Sequence, residues 1–235
     1  ALRRKLQLEA FPGLLRRTVI AHKTRVVVAG THCKSTTTAC VAHLLHELGR
    51  DPSYLIGADP LTLPYGGNIG HGSEFVIEGD EYDSAFFDKT AKFLKYLPDI
   101  AVIGNIEFDH ADIYASLDEI RLAFRRLVNL VPGRGLLLLG ADSAEAAAMK
   151  AAARSPVQTF GLAPEADWHG YDLRPGAGAT TCGVRRHGTS FGTFTVPLVG
   201  AHNVRNALAA IAVGDALGLA PTVLADGLKQ FRGVR

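Results

Sequence analysis

Seven consecutive residues, Gly30-Thr-His-Cys-Lys-Ser-Thr36, have types and spacing that suit phosphate chemistry. An apolar run at 26–29 comes before them, as in a buried parallel strand. Behind them Val41, Leu44, Leu45 and Leu48 fall on one helical face. Strand, glycine turn, Lys-Ser and helix together hold a polyphosphate. The backbone N–H groups of the turn and the helix start face the anion. The lysine adds a point charge, and the next hydroxyl reaches Mg2+. The bland alternative is a structural glycine turn. Two positions depart from the common phosphate loop: Cys33 stands where Gly precedes the Lys, and Val28 where an earlier Gly belongs.

Two further loops end predicted strands. Residues 75–77 lead into Glu78, Asp80, Glu81 and Asp83, and residues 100–103 lead into Asn105-Ile-Glu-Phe-Asp-His110. Strand ends of one parallel sheet converge, and ligands bind there. Mg2+ takes hard oxygen ligands, which Ser35 and Glu78 supply, and His110 suits a second divalent ion, Mg2+ or Mn2+. Singly, the acidic stretch also reads as a solvated loop and His110 as a hydrogen-bonded histidine. Near the end, Asn203 and Asn206 lie one helical turn apart and share a face, so two amides can read a base edge. Helix capping by Asn203 is the alternative.

The elements that position these residues alternate through residue 160. Helices are expected at 34–48, 116–130 and after Asp142, which reads as a helix cap; further strands are expected at 54–57, 136–139 and 157–160. The pattern at 86–96 chooses neither. Strands at 167–173, 179–186 and 191–198, with a His187-Gly188 hairpin, form a small antiparallel sheet, and helices at 202–217 and 222–231 follow. The fold class is therefore α/β: a mostly parallel sheet flanked by helices, with a phosphate-binding loop, plus the antiparallel sheet.

Composition narrows the class. The chain has 235 residues, 47% of them hydrophobic and 20% charged, enough for a sizeable core in one domain. A formal net charge of +2 gives no field that points to nucleic acid or an anionic membrane. No apolar run reaches transmembrane length, and no signal-peptide core is expected at the N-terminus. Cys33, Cys40 and Cys182 suit neither a metal knuckle nor a disulfide framework, which favours a reducing cytoplasm.

Taken together, four motifs in order resemble the central domain of the muramyl (Mur) ligases of bacterial cell-wall synthesis: Gly30 to Ser35, Glu78-Gly-Asp-Glu-Tyr-Asp83, Asn105 to Asp112, and Gly200 to Ala210. The resemblance implies an ATP-binding domain, residues 25–231, with Gly30 through Thr36 on the phosphates and Asn203 and Asn206 facing adenine. It implies Ser35 and Glu78 on Mg2+, Glu78 and His110 on a second ion (Mg2+ or Mn2+), and Lys34, Glu78 and His110 as the catalytic set. Residues 1–24 would lead in from an N-terminal domain that holds a UDP-sugar. Residues 232–235 would begin a hinge to a C-terminal domain, so the chain alone is expected to be inactive. The family forms amide bonds through an acyl phosphate. Within it, Tyr82 and the run at 84–89 resemble the muropeptide-recycling branch, which joins UDP-N-acetylmuramate to the tripeptide L-Ala-γ-D-Glu-meso-diaminopimelate. The alternatives are the branch that adds L-alanine and a degenerate nucleotide-binding module; a folate polyglutamate ligase shares the core, but Asp80-Glu-Tyr-Asp83 argues against it. Two departures stand out: Cys33 replaces a family glycine, and 116–130 contains Arg121, Arg125 and Arg126 but not the lysine that several relatives carbamylate.

Overall fold

A computed structural model describes residues 8–108 and 114–235. The elements run α1 (Phe11–Leu15), a π-helical turn (Arg16–Ile20), β1 (Thr24–Ala29), α2 (Lys34–Glu47), β2 (Ser53–Leu55), β3 (Gly67–Asn68), β4 (Glu74–Gly79), β5 (Asp83–Ala85), β6 (Asp88–Ala91), a 3-10 turn (Lys92–Lys95) and β7 (Ile100–Ile103). From residue 114 onward come α3 (Leu117–Leu130), β8 (Leu136–Gly140), α4 (Ala144–Ala148), a 3-10 turn (Met149–Ala152), β9 (Val157–Gly161), β10 (Trp168–Pro175), β11 (Thr180–Arg186), β12 (Thr189–Val196), α5 (Ala201–Ala216) and α6 (Pro221–Leu228).

One ten-stranded sheet carries the described fold, in the order β12-β11-β10-β9-β8-β7-β1-β4-β2-β3. β1 pairs in parallel with both β4 and β7. The β-branched run explains its central place: Val26 and Val28 face one layer, Val27 and Ala29 the other, and all four are buried. On the first side α2, α5 and α6 cover the sheet; on the second, α3, α4 and the 3-10 turns do, with Phe93, Phe124 and Leu127 fully buried. The chain leaves β1 toward the first layer and β7 toward the second. The β1/β7 crevice is therefore a switch point, where open parallel sheets leave room for a ligand.

The expected antiparallel strands are present, but they do not stand apart. β10 pairs in parallel with β9 through Trp168↔Phe160, and β11 and β12 extend the same sheet. Continuity keeps the inner face of the extension on the α5 core, where Trp168, Cys182, Val184 and Phe194 are buried. The β11–β12 turn is the expected His187-Gly188 pair, at φ 47° and 78°. The undecided stretch 86–96 divides between the β5–β6 hairpin and a 3-10 turn.

Two local readings change. Asp142 does not cap α4; Ser143 does, its hydroxyl accepting from Ala146 N. Asn203 does not cap α5, whose N-cap is Gly200. By contrast α3 starts where Ser116 suggests: Ser116 accepts from Glu119 N, and the Glu119 carboxylate accepts from Ala115 N at 2.9 Å. No helix among the described residues is long and apolar enough to cross a membrane.

Candidate functional site

The loop between β1 and α2 is shaped by contact with the end of β7. Thr31 N donates to Asn105 O at 2.9 Å, and His32 N donates to Asn105 Oδ1 at 3.0 Å. Glu107 N donates to the Thr31 hydroxyl at 2.9 Å, and Asn105 Nδ2 donates to Glu107 Oε1. Gly30 makes this approach possible. Its φ is 136°, and a Cβ there would sit 3.0 Å from Asn105 O. Cys33, the N-cap of α2, is left-handed at φ 63° and ψ 11°, a conformation that suits glycine; its side chain is exposed.

The first turn of α2 is open. Its first helical bond runs from Thr37 N to Cys33 O, so the N–H groups of Lys34, Ser35 and Thr36 have no carbonyl within the helix, and no side chain caps them. They stand at the positive end of a 14-residue helix dipole. The loop opens into a cleft of about 580 Å³, within the range of small-molecule sites, lined by His32, Cys33, Lys34, Asn105, Asp142 and Asn206 among others. Gly140 forms part of its wall, and a Cβ there would collide with Gly104 O.

Lys34 lines that space, but its ammonium is engaged by protein groups. Its Nζ donates to Gly30 O at 2.9 Å, Thr31 O at 3.3 Å and Glu81 Oε1 at 3.0 Å, and lies 2.9 Å from Glu81 Oε2. Tyr114 donates to the Glu81 backbone carbonyl at 2.8 Å. Burial pushes the Tyr114 phenol up to about 12, and the charges of Glu81 and Asp83 add to the shift.

The other expected site residues divide. Ser35 and Thr36 lie half-buried in the first turn of α2. Glu78, at the end of β4, pairs in register with Val28 and accepts from Gly57 N at 2.9 Å; it is not among the residues lining the cleft. Asn206 lines the cleft, whereas Asn203 turns its amide to Val199 O at 2.8 Å and lies off the lining. His110 lies outside the described residues. No trio of His, Cys, Asp or Glu among the described residues is placed to hold a metal ion. The oxygen donors Ser35 and Glu78 belong to the hard class that Mg2+ uses.

Sequence reasoning missed Asp142 and Arg205 as cleft residues. Asp142 Oδ2 accepts from Leu162 N and from Arg205 Nε, tying the end of β8 to α5 across the cleft wall. Position held the signal, because Asp142 follows a parallel strand as the other loops do. Arg121 on α3 pairs with Glu145, another cleft residue, and with Asp118, and both partners hold its guanidinium pKa up.

A family model described as the Mur ligase middle domain matches residues 28–214, most of the chain. The chain belongs to the Mur ligase family. It is 36% identical over 217 residues to the UDP-N-acetylmuramate–L-alanine ligase of Chlorobaculum tepidum, covering 92% of this chain and 44% of that protein. It is 34% identical over 224 residues to the Escherichia coli UDP-N-acetylmuramate–L-alanyl-gamma-D-glutamyl-meso-2,6-diaminoheptandioate ligase, covering 95% of this chain and 48% of that protein. The chain thus spans about half the length of these curated relatives. Among solved structures, the UDP-N-acetylmuramate:L-alanyl-gamma-D-glutamyl-meso-diaminopimelate ligase of Neisseria meningitides superposes with a TM-score of 0.91 at 33% identity, covering all of this chain and 74% of that one. The fold, a mostly parallel sheet that continues into antiparallel strands, is that of the Mur middle domain.

Proposed function

We propose that this chain is the ATP-binding middle domain of an amide ligase that joins UDP-N-acetylmuramate to the tripeptide L-Ala-γ-D-Glu-meso-diaminopimelate in cell-wall recycling. The observation that carries the nucleotide reading is the bare first turn of α2 at the β1/β7 switch point, opening into a cleft of nucleotide size. The loop N–H groups and Lys34 bind and orient the polyphosphate, Gly30 lets the backbone approach, and Asn206, with Asn203 behind it, faces the base. Ser35 and Glu78 would hold Mg2+, and Glu78 with His110 a second ion; the ions would screen the charge that builds on the transferring oxygens.

The chemistry answers a difficulty of carboxylates, whose leaving group would be oxide. The muramyl carboxylate takes the γ-phosphoryl group of ATP, releasing ADP. The amine then attacks the carbonyl carbon of the acyl phosphate, the C–O bond breaks to release inorganic phosphate, and loss of a proton from nitrogen leaves the amide. Lys34 and the loop N–H groups stabilise the transferring phosphoryl oxygens, because fixed donors in a cleft need no reorganisation as charge develops. The sugar nucleotide and the peptide would sit on N- and C-terminal domains joined through residues 1–24 and 232–235. Residues 231–235 are well anchored for a hinge root: Phe231 is buried, and Arg235 exchanges backbone bonds with Asp59. The free state of all three cysteines suits a cytoplasmic site in bacteria.

The tripeptide reading is supported by the TM-score of 0.91 to a ligase of that name and by the run at 84–89, which builds the β5–β6 hairpin. A second reading, L-alanine as the amine, is favoured by the relative named above at 36% identity. Two measurements test the proposal. Calorimetric titration of Mg-ATP into the chain should show binding that Lys34→Met weakens at least about tenfold, as expected for a lost charged phosphate contact; equal binding by both would refute the loop assignment. The longer protein containing this chain should release phosphate from ATP with UDP-N-acetylmuramate and tripeptide. Release with L-alanine alone would move the assignment to the second reading.

A further inference from the structure

The partners of Lys34 are unusual for a lysine that must meet phosphate. An ammonium has three protons. Here they face two loop carbonyls and the Glu81 carboxylate, with the lysine and glutamate side chains only 11% and 4% exposed. A phosphate oxygen that reaches Nζ must displace one of these partners. It must also approach a buried carboxylate, at a separation of about 5 Å, where like charges repel strongly in a medium poorer than water. Glu81 is held where it is by burial, its side chain being only 4% exposed, and by its contact with Lys34.

Resting on the nucleotide reading above, we infer that Glu81 is a charge filter: it holds Lys34 in a saturated position, so that a polyphosphate binds the loop well only when a divalent cation has reduced its charge. Glu81 acts through Lys34 and touches no reacting atom, so it is a positioning residue. The role differs from plain structural support in its sign. A supporting residue, once removed, weakens every ligand. A filter, once removed, strengthens the ligand it excluded.

The test is calorimetric titration of ATP, with Mg2+ and with EDTA, into the wild-type chain, Glu81→Gln and Glu81→Asp. The wild type should bind metal-free ATP far more weakly than Mg-ATP. Glu81→Gln should tighten metal-free ATP roughly tenfold, less than the bare repulsion predicts because solvent screens it. Its Mg-ATP affinity should move far less, and Glu81→Asp, which keeps the charge, should retain the wild-type ratio. Equal loss of both ligands in Glu81→Gln, or an unchanged ratio, overturns the inference and leaves the nucleotide site standing. Failure of the wild type to bind Mg-ATP overturns the nucleotide reading and the inference with it. Inorganic triphosphate with and without Mg2+ gives a check that needs no variant: equal wild-type affinity for the two forms also overturns the filter.

Discussion

Replacing Cys33 by glycine should stabilise this protein, although it removes a side chain. Cys33 sits at φ 63° and ψ 11° as the N-cap of α2. A residue with a Cβ is strained there by roughly 1–2 kcal/mol, because the Cβ crowds the following carbonyl. Glycine relieves that strain but gains freedom in the unfolded chain, which offsets roughly 0.4–1 kcal/mol. The thiol is exposed, so no buried contact is lost. The balance is a gain of about 0.5–1 kcal/mol, or an upward shift of about 1–4 °C for a chain of this size. Cys33→Ala is the needed reference. It removes the thiol, keeps the Cβ at positive φ, and should change stability by less than about 0.5 kcal/mol. Urea unfolding of the three proteins reads the difference through the midpoint at constant slope. If Cys33→Gly is no more stable than Cys33→Ala, the backbone at position 33 is not strained. The same result would remove the reason for expecting the loop to prefer glycine.

Two further predictions concern pH and the base of the sheet. Arg25 holds Asp99 through a bidentate pair and through its own backbone N–H. Burial pushes the Asp99 carboxyl up, but the Arg25 hydrogen bonds and charge outweigh it and leave the carboxyl below its ordinary value. That stabilisation is present above the ordinary carboxylate range and is lost as pH falls through the lower folded value. Asp99→Ala should therefore cost about 2 kcal/mol at neutral pH and flatten the acid limb, read by urea midpoints; an unchanged acid limb would contradict the pairing. His43 is buried between α2 and α6, with Nε2 3.0 Å from Gly227 O. Burial lowers its pKa most, against the Gly227 carbonyl and Glu47, which raise it, and with His46, which lowers it. The unfolded chain then binds the proton more readily, so stability should fall as pH drops below about 6.5. His43→Gln should remove that slope, and a slope of equal size in the variant would assign it to other groups.

Much of the fold is legible because local pattern and tertiary demand agree. The run at 26–29 is apolar on both faces, and only a strand covered by two layers uses such a run. Ser116 and Glu119 mark the start of α3 by chemistry that acts within one turn. Patterns failed where the deciding contact comes from far along the chain. Helix α2 reads as amphipathic, yet residues 37–45 are all buried, because α5 and α6 close over the face turned away from the sheet. Asp142 has the composition of a cap, but its carboxylate meets Arg205, 63 residues away.

Local pattern was enough to place the Gly30–Ser35 loop after a buried parallel strand, acidic and amide residues at the ends of two further strands, and an antiparallel texture after residue 160. Those features rest on backbone preference and hydrophobic period, both local. The packed fold alone brings particular strand ends to one cleft: the loop of β1 meets the end of β7 through Asn105 and the wall formed by Asn206, while Glu78 stands beside Gly57 on the β4 side. It alone paired Lys34 with Glu81, 47 residues apart. Strand order sets those meetings, and strand order follows from packing helices onto both faces of the sheet, which no single window of sequence contains.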